Sequence, residues 1–204
     1  MQQSILNFKY NEEYKTEDFI VSQSNQVAFD ILYNFQKNCG MLPYPYTILI
    51  NGPKGSGKTH LAHIWQAISI ENITVENIDA IVDEEDLLHI FNSCNENKKF
   101  LLLTSSLPTN QIRFKLPDLD SRIKSIMEVK IYEPDDYLVK MILFKHFSKR
   151  SIKIEDNVMN YLESRLPRNF NEINLQINLL DDASLRHKKD ITIPFIKKTL
   201  NLTL

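Results

Sequence analysis

The sequence predicts an α/β protein, in which a parallel sheet built around a phosphate-binding loop is followed by a small α-helical domain. Three observations carry this expectation. Gly52-Pro53-Lys54-Gly55-Ser56-Gly57-Lys58-Thr59 is a complete G-x-x-x-x-G-K-[ST] loop and holds three of the chain's four glycines. It is flanked as such a loop has to be: Tyr46–Asn51 is a short β-branched apolar run preceded by Pro43 and Pro45, and Leu61, Ile64, Trp65 and Ile68 recur behind it at helical spacing. Beyond residue 132 the pattern changes to helical periodicity alone.

A glycine-rich loop between a strand and a helix makes an anion cradle, because its backbone N–H groups and the positive end of the helix dipole point at the same place. Lys58 would reach the β- and γ-phosphates, and the Thr59 hydroxyl would ligate Mg2+. The expected cofactor is therefore ADP or ATP with Mg2+. Gly52 to Thr59, with His60 directly behind, are its candidate contacts; a helix-surface role for His60 stands beside that reading.

Residues 1–17 are polar and aperiodic and read as a tail. A helix is expected over Val27, Ala28, Ile31, Leu32 and Phe35, capped by Ser24 or Asn25 and ended by Gly40. Asn72–Asn77 is a second strand ending in Glu76, an acid placed to hold Mg2+ or orient water, with a solvated surface role as the alternative. Asp83 to Asp86 supply the acids of a helix start. Phe100–Ser106 reads as a central parallel strand whose hydroxylated end faces a ligand, and Met127, Val129 and Ile131 alternate as a last strand. Four helical runs follow: Leu138, Met141, Ile142 and Phe144; Val158, Tyr161 and Leu162; Ile173, Ile177, Leu179 and Leu180; and Pro194 to Leu200, the first beginning at Asp135 or Asp136. The expected units are a tail over 1–17, an α/β domain over 18–132 and a helical domain over 133–204.

Composition narrows the function classes. With 204 residues and a net charge of −2, the chain has no basic footprint for gripping free nucleic acid, so DNA would be reached through a partner. Two cysteines, Cys39 and Cys94, lack metal-ligand spacing and fit a reducing cytoplasm. No apolar stretch is long enough to cross a membrane, and the N-terminus lacks a signal-peptide pattern.

These segments together resemble AAA+ proteins of the DnaA-related group. Asp18 to Gln26 resembles their adenine-side segment, Gly52 to His63 their phosphate loop and helix, Leu102 to Ser106 their sensor strand, Leu116 to Arg122 their arginine-finger segment, and Ile191 to Phe195 the start of their last lid helix. Within the group the chain is similar to the Hda family of regulators. It stops after the lid, where DnaA continues into a DNA-reading domain, and Gln3-Ser4-Ile5-Leu6-Asn7-Phe8 spells Gln-x-x-Leu-x-Phe, which resembles the peptide that docks on the sliding clamp.

The resemblance implies a nucleotide-binding regulator that contacts its nucleotide through Ile20 and Val21, counts Thr104 of the sensor strand with Glu76 among its catalytic residues, docks on the clamp (the polymerase β subunit) through Gln3, Leu6 and Phe8, and offers Arg122 to ATP held by DnaA. A homo-oligomer is left open. For Arg122 a surface pair with Asp118 or Asp120 is the competing expectation. Three departures from the family pattern stand out. Asn171 falls where the lid arginine is expected, with Arg168 three residues earlier and able to present from the same helix face. Glu76-Asn77 replaces paired acids. Only Ser69 to Asn72 separate the loop helix from the second strand, so the sheet is expected to lack a strand. An autonomous ATPase or loader, and a clamp adaptor with a vestigial nucleotide site, are the rival functions.

Overall fold

Strand β1, Thr47–Asn51, is buried at every position because it is covered on both faces and paired on both edges. The computed structural model describes residues 14–34, 47–69, 71–81, 83–150 and 152–201. Within them β1 runs parallel to β3, Leu101–Ser105, on one side and to β4, Met127–Lys130, on the other; β2, Ile73–Val75, adds to the far edge of β3. The order is β2-β3-β1-β4. Parallel neighbours require crossovers, and helices supply them: α2 (Lys58–Ile68) follows β1, α3 (Glu84–Glu96) follows β2, and α4 (Pro117–Ser125) follows β3. Among the described residues the sheet has four strands, as the short Ser69 to Asn72 connection requires.

β2 is shorter than its apolar pattern suggests. Asn77 adopts a left-handed conformation (φ 56°) and turns the chain into a 3-10 turn at Ile78–Ala80, so Glu76 falls just past the strand. Side chains alternate across a strand, and β1 accordingly divides its residues between two layers. Ile48 and Ile50 pack with Ala28 and Leu32 of α1 (Gln26–Tyr33) and with Leu61, Ile64 and Trp65 of α2. Leu49 packs on the other face with Phe91 and Cys94 of α3 and Leu119 and Ile123 of α4.

Four helices follow the sheet: α5 (Asp136–Lys149), α6 (Asp156–Arg165), α7 (Phe170–His187) and α8 (Ile193–Leu200). Val139, Leu143, Phe147, Leu162, Ile173 and Ile177 lie at their common centre. Phe144 and Leu179, counted above among the apolar runs, instead stand 57% and 47% exposed, because Leu143 and Phe147, and Ile177 and Leu180, already occupy the inward stripes.

The caps are of two kinds. Asp83 and Asp135 accept from the amides of Asp86 and Leu138 at 2.9 and 2.8 Å, as acids at helix starts should. The expected side-chain cap of α1 does not form: Asn25 Oδ1 accepts from the Ser22 amide at 2.8 Å and its own amide donates to the Ile20 carbonyl at 2.9 Å, so Asn25 folds the preceding segment instead. Asn169 caps α7, which leaves Arg168 ahead of the helix and not on the face where the sequence reading put it.

Among the described residues no helix is long and apolar enough to cross a membrane. Asp181 of α7 is 1% exposed and is engaged by Arg150 at the end of α5. His146 lies beside them, its Nε2 4.0 Å from Asp181 Oδ2. That oxygen is already committed to Arg150, and burial, reinforced by the Arg150 charge, holds the imidazole down at about 4.

The sign follows directly. Between pH 6.5 and 4 the unfolded chain binds a proton at this histidine that the folded chain refuses, so stability falls as pH drops through this window. Urea unfolding of the wild type and His146→Gln at pH 7 and pH 5 should show the variant losing less stability between the two, by about 2 kcal/mol. Equal losses would show a histidine that titrates normally.

Candidate functional site

The root of the phosphate loop is fixed by both neighbours of β1. The Gly52 amide donates to the Ser105 carbonyl at 3.2 Å, and the Ile131 amide donates to the Asn51 carbonyl at 2.8 Å. A Cβ on Gly52 would lie 2.9 Å from Ile131 Cβ, so no larger residue fits. Gly55 and Gly57 have φ of 83° and 90°, the left-handed region that only glycine enters freely. α2 starts immediately behind, with its first amides and its dipole directed at the loop.

Lys58 is buried, and its Nζ donates to the carbonyls of Gly52 at 2.7 Å and Pro53 at 2.9 Å. Burial pulls its pKa below the ordinary lysine value, and the nearby carboxylates of Asp79 and Glu76 oppose that pull. Thr59 Oγ1 donates to Glu76 Oε2 at 2.5 Å, bringing together the two residues that would share a Mg2+ ion. Thr104 is fully buried at the end of β3, where its hydroxyl accepts from the Asn77 amide at 3.0 Å. The loop, Glu76 and Thr104 thus gather at the carboxyl edge of the sheet.

Asp79 belongs to the same group and was missed by sequence reading. It follows Glu76 by one 3-10 turn and its Oδ1 accepts from the Ser106 amide at 3.1 Å. The signal in the sequence was Glu76-Asn77-Ile78-Asp79, a second acid three residues on, where paired acids had been sought side by side.

A cleft of about 920 Å³ opens beside Gly55, Ser56 and Gly57. One wall is Phe19 and Ile20; the other is Leu138 and Ile142 of α5. Val21 is half-buried outside that lining. Phe19 covers the loop, its ring edge 3.0 Å from where a Cβ on Gly57 would stand. His60 lines the cleft, held at 2.7 Å from the Lys15 carbonyl and edge-on to Phe19, and burial lowers its pKa. Lys145 closes one end, 2.9 Å from Asp18 Oδ1 and donating to the Asp18 carbonyl; that hydrogen-bonded ammonium holds the Asp18 carboxyl below its usual range.

The α7 start meets the loop through Phe170 and Asn171, whose Cβ and Oδ1 lie 3.0 and 3.1 Å from a Cβ built on Gly55. Arg168 does not reach the cleft lining: its guanidinium donates to Asp136 at 2.6 Å and to the carbonyls of Glu163 and Leu166. Arg122 lies on α4, across the sheet from α2. Its Nε donates to Asp118 at 3.0 Å and its guanidinium stands 5.8 Å from the centre of the Phe91 ring. The pair with Asp118 is therefore present; Asp120 is taken by Lys124. Gln3, Leu6 and Phe8 lie outside the described residues.

The residues fit a nucleotide on structural grounds. Ser56 Oγ is buried in the loop without a hydrogen-bond partner among the described residues, and a cleft that combines Phe19, Ile20, Leu138 and Ile142 with Lys145, Lys149 and Arg150 adjoins the loop that would hold phosphate. Among those residues no cluster of three or more acidic, histidine or cysteine side chains forms a separate metal site.

The fold and the helical domain have known relatives. Residues 136–200 match the family described as Hda, lid domain. A DnaA chromosomal replication initiator of Buchnera aphidicola is 26% identical over 98% of the chain and 55% of its own length. In three dimensions, domain III of Thermotoga maritima DnaA superposes with a TM-score of 0.75 at 17% identity, covering 94% of this chain and 97% of that one. The helical domain is Hda-like, and the chain as a whole is similar in sequence to DnaA and has the AAA+ fold of its domain III. An uncharacterized protein of Haemophilus influenzae is also 27% identical, over 84% of this chain and 88% of its own. AMPPCP-bound DnaA from Aquifex aeolicus superposes with a TM-score of 0.66 at 20% identity over 88% of this chain and 69% of that one. The chain spans about half the length of the DnaA sequences it matches.

Lys58→Ala should weaken ADP binding on the order of 100-fold, the ~3 kcal/mol of a lost charge-assisted contact. Calorimetric titration with ADP reads this directly. Unchanged affinity would show that the loop does not hold phosphate.

Proposed function

We propose that this chain is a nucleotide-bound regulator of replication initiation that stimulates hydrolysis of ATP held by DnaA, with Arg122 as the group it contributes. The Hda lid match and the DnaA-like fold support a DnaA-related regulator. The observation that carries the finer reading is the position of Arg122. It is half-exposed on the helix layer opposite α2 and outside the lining of the chain's own cleft, so its guanidinium is available to another molecule and not to its own nucleotide. A guanidinium aimed at a γ-phosphate stabilises charge that spreads over the transferring group.

In this reading Lys58 and the loop amides hold the phosphates of ADP or ATP, Thr59 and Glu76 hold Mg2+, and Phe19, Ile20 and Ile142 enclose the base. The bound Mg2+ would neutralise phosphate charge. The Gln3, Leu6 and Phe8 peptide tethers the chain to the sliding clamp, and through it to DNA. Arg122→Ala should bind ADP normally yet lose stimulation of DnaA-bound ATP turnover by on the order of 10³-fold or more. Lysine should rescue poorly, since it keeps the charge without the planar fork. Because the Asp118 pair is partly exposed, its loss should cost at most about 1 kcal/mol of stability. Full stimulation by the alanine variant would end the mechanism.

The clamp contact has its own test. Replacing Leu6 and Phe8 with alanine should abolish clamp binding in a pull-down or surface-resonance assay while the melting temperature stays nearly constant. A large fall in melting temperature would mean that both residues pack on the chain's own body.

One observation favours an autonomous ATPase instead: Asp79 joins Glu76 near Lys58, which restores a second acid to the phosphate site. Steady-state hydrolysis by the purified chain alone separates the two readings.

A further inference from the structure

The segment between β3 and α4 is held by its backbone, and the holders are carboxylates from three different elements. At its start the Ser106 amide donates to Asp79. In the middle the Thr109 amide and hydroxyl donate to Glu128 Oε2, at 3.2 and 2.5 Å. At its end the amides of Lys115 and Leu116 donate to the two oxygens of Glu84, at 3.0 and 2.9 Å. Leu116 is the N-cap of α4 and has no side-chain cap of its own, so this segment sets where the helix carrying Arg122 begins.

Glu128 differs from the other two holders in its second partner. Its Oε1 accepts from the side-chain amide of Asn51, the buried residue directly before Gly52. A single carboxylate therefore joins the root of the phosphate loop to the segment that leads into α4. Asn51 has little freedom to move independently of the loop, because its carbonyl is fixed by the Ile131 amide and the next amide by the Ser105 carbonyl. Glu128 itself is exposed on β4, where the sheet does not need a carboxylate for packing.

We infer that Glu128 is a positioning residue that transmits nucleotide binding at the phosphate loop, through Asn51 on one oxygen and Thr109 on the other, to residues 106–116 and the start of α4. This rests on the proposal that the loop binds nucleotide, and does not require Arg122 to act as a finger. Nucleotide that tightens around Gly52 to Thr59 restrains the Asn51 side chain beyond what its backbone bonds already do; Asn51 restrains Glu128; and Glu128 withdraws the Thr109 amide further from exchange with solvent. The bound nucleotide then serves as a coupling ligand for a distant helix, whether or not it is hydrolysed.

Hydrogen exchange of the 106–116 segment, with and without saturating ADP and Mg2+, tests the inference on the full chain. In the wild type ADP should slow exchange there by at least about five-fold, the low end of ordinary coupling. In Glu128→Ala, which opens no cavity because the side chain is exposed, ADP should bind with little change in affinity but leave the segment's exchange unaltered. Glu128→Gln should recover most of the effect, because the Asn51 amide can turn to present its oxygen to the new NH2 group while the Gln oxygen still accepts from Thr109. A wild type that binds ADP without slowing the segment, or an alanine variant that keeps the full slowing, overturns the coupling and leaves the nucleotide reading standing. A wild type that binds no ADP overturns both.

Discussion

The backbone on either side of the Asn51–Gly52 junction is committed in opposite directions, to β4 through the Asn51 carbonyl and to β3 through the Gly52 amide. Everything at the site depends on this junction. With the root immobilised, the next residues can turn through two left-handed glycines and bring the loop backbone round toward a ligand, the Ser56 amide closing the turn on the Pro53 carbonyl at 3.2 Å. It also explains why β1 lies between β3 and β4: a phosphate loop on an edge strand would be held on one side only.

The charge balance around Lys58 has the same origin. The first turn of α2 puts the ammonium under the loop, where it is buried and where two carbonyls accept its protons. Burial favours the neutral amine, whereas Asp79 and Glu76 favour the cation. Both acids arrive by the same device, the early end of β2 at left-handed Asn77, whose amide is then taken by Thr104. A longer β2 would have carried Asp79 up the sheet edge, away from the lysine. The short strand is thus part of how the site is charged.

Much of this was legible in the sequence, and the failures have identifiable causes. The loop, the strand before it and the helix behind it are fixed by local chemistry, glycine at positive φ and apolar periodicity, so they could be read directly. The four strands of the described sheet were legible as chain length, since four residues between α2 and β2 leave no room for another strand and helix there. Asn25 does stand at the N-cap position of α1, but its side chain turns back to the Ser22 amide, because capping residues and turn-forming residues are the same types and only the fold decides which amide the side chain finds. Arg168 was put on a helix because helix starts blur by a residue or two, and Asn169 turned out to be the cap. That Asp79, Glu84 and Glu128 all hold the 106–116 segment had no sequence signal, because only the sheet order brings acids so far apart in the chain to one loop.

The order of the sheet also determines how the helical layer can answer the site. Residues 14–25 touch both: Phe19 covers Gly57, Ser24 accepts from the Tyr132 amide and donates to Asp135, and Asp18 pairs with Lys145 of α5. Asp135 both caps α5 and holds Ser24, so moving α5 away from the cleft has to break a helix cap or leave the Ser24 amide to the Ser22 hydroxyl alone, at 3.3 Å. The Lys145–Asp18 pair lies further along the same helix and is partly exposed, so it is worth less and can part first. The helical layer is therefore held more firmly at Asp135 than at Lys145. A ligand between Phe19 and Ile142 would lie alongside these contacts, with its phosphate end on the loop whose root the sheet fixes.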